Sequence, residues 1–210
     1  MKLYEFSLAP NPRRVRMFLA EKDITIPSVQ VNTREREQFA DDFKKVSPRS
    51  LVPVLELDDG TCIAESVAIC RYIEEIQPEP PLFGRDAKEK ALVEMWNRHA
   101  EVDGFGAVGD MVRNSAPLFE GRGLAGLPGG EPQIPALVER GQRTVDRFMH
   151  YSNRHLADHQ FLAGDQFSIA DITAFIAVEF GQRANYAVPE DCDHVKRWHA
   201  EIAARPSATA

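Results

Sequence analysis

The sequence predicts a small α/β domain followed by an all-helical one. Three observations lead there. Residues 1–78 alternate short apolar runs with helix-like segments in the order β-α-β, a loosely helical stretch, then β-β-α. Residues 79–87 are rich in proline and charge and read as a linker. From 88 to 210 nearly every periodic segment has helical spacing.

Each element has a local signal. Leu3 to Phe6 is a short apolar strand. "SLAPNP" follows, and there Asn11 is a suitable N-cap with Pro12 at the first helical position. Val15, Phe18 and Leu19 then give that helix an apolar face, with Lys22 on the same spacing. Thr25 to Val31 reads as a second strand. Asn32 to Val46 is charged and poorly periodic, which predicts an irregular helix. "VLEL", "DDG" and "TCIA" form a hairpin. Ser66 then starts "SVAICRYIEEIQ", a helix that stops before Pro78.

Beyond the linker, Ala87 to Arg113 and Ile134 to Leu156 are long helices separated by the glycine-rich "EGRGLAGLPGGEP". That loop lacks the Gly-Lys-Ser/Thr ending of a phosphate loop. Two further helices lie in "FSIADITAFIAVEF" and "HVKRWHAEIAARP". Ser168 and Asp171 stand at capping-box spacing, a structural signal.

Composition bounds the function. A net charge of −7 argues against nucleic acid as partner. No apolar run reaches the ~18 residues of a membrane span, and the N-terminus has no signal-peptide core. Cys62, Cys70 and Cys192 form no metal-like spacing and suit a reducing, cytoplasmic setting. His150, His155 and His159 near a helix end lack a supporting ligand set, so they read as a solvated face and no metal is expected. Arg13, Arg14 and Arg16 read as a solvated helix face or a weak anion field.

Glu65 and Ser66 lie where a strand gives way to a helix. Free N–H groups and the dipole at a helix start bind carboxylates, a serine hydroxyl adds a donor, and a neighbouring acid holds an ammonium group. Together they fit an amino-acid or γ-glutamyl head. The alternative is that Ser66 only caps its helix. Pro53 opens a strand, where a trans bond is the ordinary expectation.

Taken together, the β-α-β–β-β-α order, the "APNP" turn, "VPVLELDDG", "ES" and "LAGDQFSIADI" resemble the cytosolic glutathione transferases over nearly the whole chain. The closest patterns are the serine-type class and a bacterial disulfide-reductase-like class with asparagine in the turn. The resemblance implies a thioredoxin-like N-terminal domain that binds glutathione as co-substrate. It implies a helical domain for a small hydrophobic electrophile or disulfide, and a homodimer. By position, it implies a cis Pro53, with Val52 pairing with the cysteinyl unit through its backbone. Glu65 and Ser66 would hold the γ-glutamyl group, and Gln38, Arg49 and Ser50 the glycyl end.

Glutathione chemistry needs thiolate, which a donor near sulfur and a helix N-terminus favour. Where serine-type members carry their serine, this chain has Ala9, and the turn holds no cysteine. Asn11 is the first choice of thiolate donor, compatible with a capping role, and Ser7 the second; Tyr4 reads as core. Phe105, Val108, Met111 and Val112 are candidates for the electrophile pocket, with core packing as the alternative. The implied activity is conjugation to an electrophile, or glutathione-dependent reduction of a disulfide or peroxide. A non-catalytic binding or regulatory protein of the same fold is the alternative.

Overall fold

Short strands and a single proline decide the sheet. The computed structural model describes residues 1–210. Its first domain contains β1 (Lys2–Glu5), β2 (Ser28–Gln30), β3 (Val54–Glu56) and β4 (Cys62–Ala64) in the order β2-β1-β3-β4. β1 runs parallel to β2 and antiparallel to β3, and β3 is antiparallel to β4. β2 is shorter than the predicted Thr25–Val31. Pro27 has no N–H to give the ladder, so regular pairing begins after it, while its carbonyl accepts from the Leu3 N–H at 2.9 Å.

Helices α1 (Pro10–Glu21), α2 (Asp41–Val46) and α3 (Ser66–Ile76) complete this domain. The predicted irregular helix over 32–46 becomes a 3₁₀ turn at Glu37–Phe39 followed by α2. Val15, Phe18 and Leu19 are buried as predicted. Lys22, on the same face, is buried too, because its ammonium finds three carbonyls, those of Gln77, Pro78 and Pro80, and the Glu74 carboxylate.

The helical domain comprises α4 (Ala87–His99), α5 (Ala107–Ser115), α6 (Pro135–Leu156), α7 (Ile169–Gly181) and α8 (Asp193–Ala203). The single helix predicted over Ala87–Arg113 is interrupted by a π-helical segment, Ala100–Gly106. Glycines stand within it, and a Cβ on Gly104 would meet the Phe148 ring at 3.1 Å. α7 is apolar almost all round and forms the centre of the core, as its sequence predicts. Gly141 lets α6 approach α5 closely: a Cβ there would lie 2.6 Å from the Ala107 carbonyl oxygen.

The two domains are joined by partly buried polar contacts as well as by apolar packing. Arg205 makes a two-pronged bond to Glu21 at 2.8 and 2.7 Å. Arg14 reaches Glu101 at 2.8 Å. The reading of Arg13, Arg14 and Arg16 as a solvated face is therefore corrected. Arg14 is buried and paired across the domain boundary, and Arg16 pairs with the buried Glu5. No helix is long and apolar enough to cross a membrane.

Candidate active site

Two helix N-termini face one cavity. It measures 440 Å³ and lies between the domains, lined by the turn at 8–11, the segment 49–53, the start of α3, one face of α5 and the glycine-rich loop.

The prolines of the opening turn act through what they remove. α1 begins at Pro10, so its first three residues are Pro10, Asn11 and Pro12. Proline has no N–H. Asn11 is therefore the sole backbone donor in that opening triplet. The N-cap is Ala9, not Asn11 as the spacing suggests, and it offers no side-chain cap. The Asn11 side chain is oriented instead by Arg14, whose Nη1 donates to Oδ1 at 3.3 Å. Arg14 in turn is clamped by Glu101 and lies 5.0 Å from the centre of the Phe105 ring. No local sequence signal marks this link from α1 to the helical domain, because Glu101 lies 87 residues from Arg14.

A similar vacancy of internal partners marks α3. Its N-cap is Glu65, at φ 69° and ψ 121°, and Ser66 is the first helical residue. The expectation that Ser66 caps the helix is corrected on this point. α3 has no side-chain cap and no acidic residue in its first turn. Ser66 is only 6% exposed, yet it lines the cavity. Such a terminus presents unpaired N–H groups and a partial positive charge to whatever enters.

Between these ends runs the segment 47–53. The Ser47 hydroxyl donates to the Leu51 carbonyl at 2.8 Å and accepts from the Leu51 N–H at 3.1 Å. That double bond fixes a turn in which Ser50 adopts a left-handed φ of 54°. Ser47 is a residue sequence reasoning missed. The Val52–Pro53 peptide is cis. Arg49 donates to Glu65 at 2.6 Å, but both side chains are largely exposed, 73% and 65%, so the pair is weak in water and easily parted. The Gln38 Oε1 is buried without a partner beside the same cavity.

Asn11, Gln38, Arg49, Ser50, Val52, Pro53, Glu65, Ser66 and Phe105 all line this cavity. Four candidates do not. Ser7 is exposed; its N–H donates to Gln30 and its carbonyl accepts from Arg16. Val108, Met111 and Val112 are 0, 2 and 0% exposed and belong to the core. α5 instead turns Gly109, Asp110 and Arg113 to the cavity, the opposite stripe at helical spacing, with Gly106 just before the helix beside them. His150, His155 and His159 do not converge: His150 lies 3.3 Å from Asp191, while His155 stacks on His159.

The glycine-rich loop closes one side. Arg36 donates to the Pro128 carbonyl, and Arg122 to that of Arg34 at 3.1 Å. Gly126, at φ +74°, passes so near the Arg49 carbonyl that a Cβ would lie 2.6 Å from its oxygen.

Comparison with known proteins agrees with this architecture. The N-terminal domain model of glutathione S-transferase matches residues 9–76, and the C-terminal domain model matches residues 124–206. The chain belongs to the glutathione S-transferase family. It is 34% identical to glutathione S-transferase 2 of Saccharomyces cerevisiae, over 99% of this chain and 87% of the yeast protein. The crystal structure of a glutathione S-transferase domain-containing protein from Marinobacter aquaeolei superposes with a TM-score of 0.88 at 38% identity, covering 99% of both chains. The chain is also 30% identical to FtsZ-localized protein A of Caulobacter vibrioides, over 97% of this chain and 87% of that one. The family uses glutathione as co-substrate, and the four-stranded mixed sheet with a helical second domain is its fold.

Proposed function

We propose that this protein activates the thiol of glutathione for conjugation to small electrophiles or for reduction of a disulfide or peroxide. The observation that carries the reading is the convergence of two uncapped helix N-termini on one cavity. The start of α3 and Ser66 receive the γ-glutamyl carboxylate, and Glu65 its ammonium group. The backbone of Val52, before Pro53, pairs with the cysteinyl unit. Arg49, Gln38 and Ser50 receive the glycyl end, with Arg49 leaving Glu65 as the tripeptide enters. The sulfur then lies at the start of α1, where the Asn11 N–H and side-chain amide stabilise thiolate. Ser7 lies outside the cavity and has no part in this.

Thiolate attacks an electrophilic carbon, a C–S bond forms, and the leaving group departs with its bonding pair. With a disulfide, thiolate forms a new S–S bond and expels the other sulfur as thiolate; a second glutathione completes the reduction. In this reading residues 1–78 are the glutathione domain, 79–87 the linker and 88–210 the electrophile and dimer domain. A homodimer in the cytoplasm is the expected setting.

The test is retention on immobilised glutathione, followed by ultraviolet titration of the bound thiol. A thiol pKa below the free value of ~8.5 supports the reading. A protein that neither binds the column nor turns over chlorodinitrobenzene or a mixed disulfide instead fits the non-catalytic alternative. The similarity to FtsZ-localized protein A, a protein whose name describes localisation, favours keeping that second reading.

A further inference from the structure

The cavity is far more positive than glutathione alone requires. Arg34, Arg36, Arg49, Arg113, Arg122 and Arg183 line it, against only two carboxylates, Glu65 and Asp110. Glu65 is taken by Arg49, and Asp110 pairs with Arg140 at 3.3 Å. Four of the other guanidinium groups bond to carbonyl oxygens: Arg36 to Pro128, Arg113 to Arg122, Arg122 to Arg34 and Arg183 to Leu8. Those bonds satisfy N–H groups but neutralise no charge. The rest of the chain does not explain the excess, because the protein as a whole carries −7. The field is therefore local to the cavity and attracts anions into it.

Position sorts the arginines. In the proposed glutathione reading, on which this inference rests, the tripeptide's two carboxylates go to the start of α3 and to Arg49. Arg113, Arg122 and Arg183 lie in the helical domain and are left over. They border its aromatic surface. Arg113 lies 4.9 Å from the Phe119 ring centre and Arg183 lies 5.6 Å from that of Phe180, which stacks on Phe105 at 5.9 Å. Burial, with Arg122 nearby, makes the Arg113 charge harder to hold; burial, with Arg34 and Arg13 nearby, does the same for Arg183. An anion beside Arg113 and Arg122 would relieve the first of these penalties.

We propose that the second-substrate site takes an apolar, aromatic molecule bearing a carboxylate, with the anion held by the neighbouring Arg113 and Arg122 and the ring against Phe105, Phe119 and Phe180. A guanidinium presents paired donors that match a carboxylate in its plane. A neutral electrophile would leave these charges unanswered in a partly desolvated wall.

A matched pair of ligands tests this without turnover. m-Nitrobenzoate and m-nitrobenzamide share a ring and differ in charge. Calorimetric titration into the protein, alone and saturated with S-methylglutathione, is expected to show the benzoate binding about tenfold tighter in both states. That preference should shrink as salt is raised. Arg113→Gln and Arg122→Gln should each cut the preference severalfold, and Arg113→Lys should keep part of it. The salt response and the ligand ratio of the unaltered protein need no variant, so a variant that misfolds leaves the test intact. Equal affinity for the two ligands overturns the proposal. So does benzoate displaced by S-methylglutathione, since the arginines would then serve the tripeptide. Benzoate binding through these arginines in a protein with no affinity for glutathione would sink the transferase reading and leave the anion site standing.

Discussion

The start of α7 and the starts of α1 and α3 solve the same electrostatic problem in opposite ways. At α7 the N-terminus is closed from within. The Ser168 N–H and hydroxyl both donate to Asp171 Oδ2 at 3.0 Å, and the Leu162 N–H and Trp198 Nε1–H both donate to Oδ1 at 2.9 Å. Asp171 is fully buried. At α1 and α3 no side chain caps the helix and no acidic residue stands in the first turn. The positive end of one helix is answered by the protein's own carboxylate. The positive ends of the other two are left for an anion from outside. Of these three termini, the capped one lies in the core and the two uncapped ones line the site.

The largest effect expected from breaking this contrast is at Asp171. Asp171→Ala strands four donors in a dry core and should cost about 4 kcal/mol, readable as a large fall in melting temperature. Loss of less than 1 kcal/mol would mean that the network is dispensable. Burial pushes the Asp171 carboxyl up to about 6, against the pull of its four donors. A carboxyl whose folded pKa exceeds its unfolded value of 3.8 binds its proton more tightly in the fold. Its contribution is thus greatest in acid and is lost as pH rises from about 4 through about 6. The stability difference between the native protein and Asp171→Asn should drift in that sense across that window. A difference flat in pH would show that Asp171 is ionised with an ordinary pKa.

At the open termini the effects should be smaller and functional. Ser66→Ala should weaken glutathione binding by ~1–2 kcal/mol, because it removes one hydrogen bond to a charged group. Calorimetry giving an unchanged dissociation constant would remove Ser66 from the γ-glutamyl site. Asn11→Ala keeps the backbone N–H and removes the amide, so turnover should fall several-fold, by about 1 kcal/mol in barrier, with little change in binding. The pKa of the bound thiol should rise with it. An unchanged titration curve would show that the side chain is not what faces sulfur.

The same contrast explains what the sequence could and could not reveal. Both domains, the succession of strands and helices along the chain and the capping box at Ser168 are legible, because they rest on periodicity and on residues within a few positions of one another; the β1–β3 pairing at the centre of the sheet is not, since its partners lie about fifty residues apart. Glu65 and Ser66 were legible as neighbours at a strand-to-helix junction. The cap itself was misplaced at both open ends: proline spacing drew it to Asn11, though Ala9 has the extended backbone of an N-cap, φ −88° and ψ 140°. Helical spacing could not say which side of α5 faces the cavity. The apolar stripe of Val108, Met111 and Val112 packs inward, and the small and charged stripe of Gly109, Asp110 and Arg113 lines the opening. Arg14 reads as solvated because its partner, Glu101, comes from the other domain. The positive lining is likewise invisible along the chain, since its arginines come together only from separate loops and helices.

The sharpest test converts an open terminus into a closed one. Ala9 already has N-cap geometry and lacks only an acceptor. An N-cap side chain accepts from the second or third helical N–H. In α1 the third helical residue is Pro12, so Asn11 offers the only N–H within reach. Ala9→Asp should therefore cap α1 through the donor assigned to the thiolate. It should stabilise the fold by about 0.5–1 kcal/mol, raising the melting temperature a few degrees. It should also place a negative charge beside the sulfur and raise the pKa of the bound thiol. Stability and turnover are expected to move in opposite directions. A variant that melts higher and conjugates as fast as before would show that the Asn11 N–H is not needed by the thiolate. One that melts no higher would show that this terminus was never short of a cap.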